Sequence, residues 1–336
     1  MFLQSFGSVI IAFFVYLITD SLANSLIIVA ILFLLIMMQP AILILNKLTQ
    51  RTNWYKTRIG DGTKFRKPIE RNIDICNLGS NSGKFAFDYI NTGLKGENWA
   101  LGPQTLSYDF RILKNYFSYL KKGATVLIPL CPFSGCIIDF EDDKVNHKYY
   151  SFLHPILIKN YSEQTKKKVM RFVNHPFLMS PFRSMLRILK DIPARDNRII
   201  EVANIEKDVN ILLNNWKRQF SITDLDAPVS KKNRENITYN QKLLAEIFSF
   251  CFERELKPVI IIPPVTSALS CRLSETFREN YIYTLFNSSE TEQLVFLNYL
   301  DDKRFVDPNL FFNSYYLNTK GGNIFTNHVI KDLGLI

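Results

Sequence analysis

From Val9 to Leu45 the chain carries no lysine or arginine, and Asp20 is its one charged residue. Leu26 to Leu45 alone supplies twenty consecutive residues of this kind. That reaches the ~20 residues a helix needs to cross the hydrocarbon layer of a bilayer. An earlier run, Ser8 to Ile18, is about half as long and becomes a second span only with Asp20 and Asn24 at an interface. One long anchor and a helical hairpin are both compatible with the pattern, and residues 1–46 are assigned to it. A cleaved signal peptide fits less well, because no basic segment precedes the run and no small-residue cleavage site follows it.

Immediately beyond come Lys47, Arg51, Lys56, Arg58, Lys64, Arg66, Lys67 and Arg71, while nothing before the run is basic. Residues 47–71 therefore read as a basic juxtamembrane linker with membrane lipid as its partner, each basic side chain near an anionic surface being worth about 1 kcal/mol. The positive-inside rule would place the rest of the chain in the cytoplasm. Much of the net charge of +10 then belongs to lipid contact, and nucleic acid is not an expected partner, since no aromatic-plus-basic recognition motif accompanies the cluster.

Residues 72–336 are long enough for one large α/β domain. "NIDICNL" reads as a buried strand ending at Gly79. Leu106, Phe110, Leu113, Phe117 and Leu120 recur at helical spacing in a segment expected to stop at Gly123. The strand "ATVLIPL" follows, and the segment Phe140 to Thr238 reads as helices and loops, with a loop at Asp226–Asn236. The helical pattern 238–257 feeds the strand "PVIIIPP", and "QLVFLNYL" precedes a C-terminal helix. Helices alternating with strands imply crossover units and a mainly parallel sheet, whose ligands gather at the carboxyl ends of the strands. Cys76, Cys251 and Cys271 lie in apolar runs. Cys131 and Cys136 could bridge a turn but lack the second Cys/His pair of a zinc site, so no metal and no cofactor is expected.

Four segments, "NLGSNSG", "GENWALGPQTLSYD", "VIIIPPVTS" and "DPNLFFNSYYLNTKGGNIFT", resemble the SGNH (GDSL-type) hydrolase superfamily. The similarity is to its membrane-anchored branch, which includes D-alanyl-transfer and alginate-acetylation proteins. It covers roughly residues 72–336 and implies a flavodoxin-like three-layer fold. Its tail pattern, Phe-x-Asp-x-x-His-Leu-Asn-x-x-Gly, is matched at Leu317, Asn318 and Gly321, with Thr326 following. The family's nucleophilic serine falls on Asn81, its aspartate on Asn313 and its histidine on Tyr316, while its second-block glycine falls on Gly96 or Gly102.

An ester-cleaving serine needs a base with a pKa near the working pH and an acceptor to orient that base. An asparagine cannot be the nucleophile, and a tyrosine with an ordinary pKa near ~10 is a poor base. The expectation is thus a degenerate site that binds a glycan or a component of the polysaccharide O-acylation machinery, using Gly79, Gly96, Trp99, Thr266, Asn81, Asn313 and Tyr316. An active esterase or acyltransferase would have to use Ser80 or Ser82, with His147, His154, His175 or His328 as base and Asp301, Asp302 or Asp307 as carboxylate. A membrane scaffold is the third possibility. The resemblance implies work on the extracytoplasmic face, opposite to the side indicated by the basic cluster.

Overall fold

The computed structural model describes residue 13 and residues 22–59, 62–140, 143–191, 204–286 and 295–336. The chain divides into two compact units, Met1–Arg58 with Lys167–Pro193, and Ile59–Lys166 with Ala194–Ile336. This differs from a simple succession of anchor, linker and domain, because a later excursion of the chain joins the anchor.

The larger unit is built on five parallel strands, β1 (Ile73–Asn77), β2 (Gly96–Asn98), β3 (Leu120–Pro129), β4 (Lys257–Ile262) and β5 (Val295–Asn298). Their spatial order is β2-β1-β3-β4-β5. Leu127 pairs with Asn77 on one side and Val259 on the other, so side chains alternate coherently across the sheet. Ile75, Leu127, Val259 and Ile261 belong to one core cluster. The intervening Cys76, Val126, Ile128 and Ile260 are buried as well. Strands covered on both faces read as unbroken apolar runs, which is why they were visible in the sequence.

Counting the anchor helix as α1 (Leu22–Arg51), the helices of the larger unit that matter here are α2 (Asn81–Ala86), α3 (Leu106–Tyr116), α4 (Ile205–Phe220), α5 (Lys231–Phe252), α6 (Glu275–Tyr281) and α7 (Thr319–Asp332). Helix α3 packs on α5, and α2 packs on α7. From β1 the chain goes through α2 to β2 on one side of β1, then through α3 to β3 on the other. The strand order therefore reverses between β1 and β3 while the strands stay parallel, and the carboxyl ends of these two strands border the crevice this topology creates.

Two expectations are corrected. The helix expected to run to Gly123 ends at Tyr116, and Gly123 lies inside β3 with φ +74° and its N–H donated to Glu255 O at 2.8 Å. Leu120, which fits the helical spacing, instead joins the ladder opposite Ile73. The loop expected at Asp226–Asn236 becomes helix from Lys231 onward, with Ser230 capping it by accepting Asn233 N–H at 3.2 Å. Its asparagines satisfy other segments: Asn233 Nδ2 donates to Phe220 O, Asn236 Nδ2 to Cys136 O, and Asn240 Nδ2 to Gly135 O.

In the smaller unit, Leu26–Arg51 is, among the described residues, the one helix long and apolar enough to cross a membrane. The earlier apolar run lies outside the described residues apart from Phe13. The end of α1 and the short helix Asn53–Arg58 are held by the later excursion. Tyr55 OH donates to Val173 O at 2.7 Å, Gln50 Nε2 donates to the same carbonyl at 3.1 Å, and Trp54 N–H donates to Asp191 Oδ2 at 2.9 Å. The first part of the expected linker is thus an ordered piece of the anchor unit.

At the start of α7, Asn318 Oδ1 accepts Gly321 N–H at 3.0 Å, and a Cβ on Gly321 would lie 2.1 Å from Leu310 O. Backbone cannot yield as a side chain does. Gly321→Ala is expected to lower stability by about 1–3 kcal/mol, read as a fall in the unfolding midpoint of the detergent-solubilised protein.

Candidate functional site

The site begins where β1 runs out. Leu78 N–H still reaches Leu127 O at 2.9 Å, and then Gly79 turns the chain with φ +108°, a conformation open to glycine at little cost. Its N–H donates to Asp109 Oδ1 at 2.7 Å, and its carbonyl accepts from Gln104 Nε2 at 3.1 Å. Gln104 Nε2 also donates to Asp109 Oδ1, while Gln104 Oε1 accepts Tyr149 OH at 3.3 Å. Gly83 completes the tight turn into α2, since a Cβ there would stand 2.6 Å from Leu78 O. One buried carboxylate on α3 thus fixes the turn from which Ser80, Asn81 and Ser82 project.

Asn81 opens α2. Its side chain lies against Gly102, where an added Cβ would come within 1.6 Å of Asn81 Oδ1, and it is hydrogen-bonded to Tyr316 from the tail. The positions assigned by resemblance to the serine and the histidine therefore meet. Burial and the neighbouring Cys131 push the Tyr316 hydroxyl up to about 12, the bond with Asn81 acting in the opposite sense. A phenol held that high keeps its proton at neutral pH and cannot serve as a base.

Around this pair lies a cleft of about 170 Å³. The loops after β1 and β3 form its walls, the start of α3 contributes Thr105 and Asp109, α4 contributes Trp216, Gln219 and Phe220, and the tail contributes Tyr315 and Tyr316. Ser82 Oγ and Thr105 Oγ1 are buried there without a hydrogen-bond partner among the described residues. Ser80 is engaged, its Oγ accepting Gln104 N–H at 3.1 Å. Cys131 Sγ lies 3.2 Å from Ser134 Oγ, and burial raises its thiol pKa despite hydrogen bonds with Ser134 and Tyr315. Cys131 and Cys136 are both free thiols. Among the described residues no three His, Cys, Asp or Glu side chains gather in a way that could hold a metal ion.

Several residues singled out from the sequence lie elsewhere. Asn313 does not face Tyr316 as a triad member would; its Oδ1 accepts the N–H groups of Tyr315 at 3.0 Å and Tyr316 at 2.7 Å, closing its own turn. Thr266 spends its N–H and Oγ1 on Ser314 O, fastening the tail to the end of β4. Trp99 is only 1% exposed, tilted against Tyr116 in the core, and offers no stacking face. Gly96 makes room for the Tyr89 ring, which an added Cβ would approach to 2.2 Å; Gly102, not Gly96, is the glycine that lies against Asn81.

None of the four histidines lines the cleft. His147 sits edge-on to Tyr150, His154 caps the turn Pro155–Leu157, His175 precedes Pro176–Met179, and His328 rests on Phe305. The carboxylates considered with them are also occupied: Asp301 pairs with Arg278, Asp302 with Arg304, and Asp307 caps Pro308–Leu310. No protein family, curated protein or solved structure matches the chain.

Asp109 and Cys131 were not anticipated as site residues. A signal for Asp109 existed, since it falls on the apolar stripe of α3 between Leu106 and Leu113, three and four residues from each. A carboxylate on such a stripe is buried and must be bonded.

Two outcomes are expected. Burial pushes Asp109 up to about 6 from 3.8, against the Gln104 and Gly79 hydrogen bonds and the nearby Lys148 ammonium. Between those values the unfolded chain has lost a proton that the folded chain keeps, so stability falls as pH rises from ~4 to ~6, by on the order of 3 kcal/mol. Urea unfolding across that interval should show the decline in the native protein and a flatter profile in Asp109→Asn. Separately, Gly102→Ala should destabilise the wild type but cost far less alongside Asn81→Ala, giving a coupling of about 1–3 kcal/mol in a double-mutant cycle.

Proposed function

We propose that the chain is a membrane-anchored, SGNH-hydrolase-like protein in which the ester-cleaving site has become a binding cleft. Its ligand is a neutral, polyhydroxylated glycan, and its setting is the O-acyl modification of cell-envelope or capsular polysaccharide. The observation that carries this reading is that Asn81 and Tyr316 meet in one cleft at the end of β1. A carboxamide stands where a nucleophile would stand, and a high-pKa phenol where its base would stand. Neither can move a proton at neutral pH, yet both can hydrogen-bond a hydroxyl.

The strand order and the crevice between β1 and β3 are what a flavodoxin-like SGNH fold would present. The cleft lining supports a sugar in particular. Amide and hydroxyl groups converge from Asn81, Ser82, Gln104, Thr105 and Gln219, beside the rings of Trp216, Tyr315 and Tyr316. Among the described lining residues there is no lysine or arginine, and Asp109 is the one carboxylate, so an acidic sugar would find no countercharge.

A second reading rests on one specific feature, the unpartnered Ser82 hydroxyl in the same cleft. It would make the protein an esterase or acyltransferase, but with no histidine beside it the hydroxyl has no base of the usual kind. Fluorophosphonate labelling, acetyl-ester turnover and binding to a panel of neutral oligosaccharides, all on the full chain in detergent, separate the two. The binding reading expects neither labelling nor turnover, and a glycan affinity about tenfold weaker in Tyr316→Phe, corresponding to ~1.4 kcal/mol, with Ser82→Ala still competent. Labelling that disappears in Ser82→Ala would overturn it.

A further inference from the structure

The anchor unit carries an apolar surface that nothing in that unit covers. In the helix Pro181–Lys190, Phe182, Met185, Leu186 and Leu189 recur at i, i+3, i+4 and i+7, the spacing of one helical face. In a water-soluble domain that face would be turned inward. Here it is turned outward: Phe182 is 85% exposed and Leu189 70%, with Met185 and Leu186 also exposed. The side turned inward carries Ser184, fully buried, whose Oγ donates to Pro176 O at 3.3 Å. Leu178 and Met179, on the preceding short helix, extend the exposed apolar surface.

Three further observations say what covers it. The helices Pro176–Met179 and Pro181–Lys190 both pack on α1, and Phe177 N–H donates to Asn46 Oδ1 at 3.0 Å. Asn46 is the residue directly after the apolar run that ends at Leu45, so the pair sits at the level where the span leaves the hydrocarbon. Arg183, Arg187 and Lys190 share the helix with the apolar face, and the Arg183 guanidinium lies 6.0 Å from the Trp54 ring centroid. Finally, the segments of this unit hold ten basic residues against two acidic ones, leaving thirty-one basic and twenty-nine acidic in the larger unit.

We propose that Pro181–Lys190 is an interfacial helix lying in the plane of an anionic bilayer. Phe182, Met185, Leu186 and Leu189 enter the boundary between headgroups and acyl chains, while Arg183, Arg187 and Lys190 meet lipid phosphates. Such helices seat their apolar face about 5–10 Å into that boundary. The protein then has two membrane attachments, a span and a helix lying beside it, which restrict rotation of the anchor unit about the span. This assignment is independent of what the cleft binds.

The test uses the full chain in lipid nanodiscs of phosphatidylcholine and phosphatidylglycerol, with Phe182→Trp or Leu189→Trp read by difference against the native tryptophans. The added emission should be blue-shifted, and should be quenched by lipids brominated near the top of their acyl chains rather than by aqueous acrylamide. Arg183→Gln and Arg187→Gln should each lower the docked-to-undocked ratio about fivefold, the equivalent of ~1 kcal/mol per basic side chain. Emission at the wavelength of water-exposed tryptophan, quenched by acrylamide and indifferent to bromine at both positions, would overturn the proposal. So would efficient disulfide crosslinking of Phe182→Cys between copies without bromine quenching, which would make a second copy the occupant.

Discussion

The Gly79 amide donates to a carboxylate sealed inside the domain, and the geometry of the cleft follows from that bond. Asp109 Oδ1 gathers the turn after β1 and the Gln104 side chain, and Gln104 in turn holds the Gly79 carbonyl and the Tyr149 hydroxyl. Three stretches distant in sequence are thereby fixed around one acceptor. Burial opposes the charge on that acceptor, yet removing the acceptor would strand a buried N–H and a buried amide, which costs more than a typical hydrogen bond contributes. The same bond sets the direction in which α2 leaves the sheet, and hence where Asn81 meets Tyr316.

Much of the framework was legible because it rests on simple periodicities. The central strands β1, β3 and β4 are largely buried apolar runs, whereas β2, a half-buried Gly-Glu-Asn edge, carries no such signal, and the helix near the N-terminus is a long run without basic residues. The C-terminal helix begins at an Asn-x-x-Gly cap, where Asn318 bonds the Gly321 amide. The failures have equally physical causes. Leu120 fits a helical spacing, but its backbone groups find partners in the sheet. Asn233 and Asn236 read as loop formers because asparagine competes with helical hydrogen bonds. In α5 their side chains instead bond neighbouring segments. The apolar stripe of Pro181–Lys190 has the spacing of a core-facing helix yet is exposed, because periodicity does not record what a stripe faces.

The site was legible in part for a related reason. Asn81 and Tyr316 are the positions on which the resemblance places a serine and a histidine; one follows a strand end and the other precedes a helix cap, so both are tied to backbone geometry. Trp99 and Thr266 are suggested by residue type and Gly96 by the resemblance, and such residues serve the interior as readily as a ligand: a tryptophan fills core volume, a threonine fastens a loop, a glycine admits a ring. Asn318 and Gly321 make the same point from the other direction. They match the tail pattern, yet each has a sufficient structural duty in starting α7.

Charge is divided unevenly between the two units. The excess of basic residues lies in the segments that form the anchor unit, so the larger unit is close to neutral and exerts little long-range attraction on an acidic polymer. Its cleft repeats this locally, with hydroxyls, amides and rings beside one carboxylate and no cation among the described lining residues. Any ligand held there would have to be recognised at contact distance, through hydrogen bonds that replace those to water and through apolar ring faces, as the proposed neutral sugar would be. The basic character of the whole chain therefore resides in the unit that carries the apolar helix, and any selectivity of the cleft would have to come from the unsatisfied Ser82 and Thr105 hydroxyls and the Asn81–Tyr316 pair.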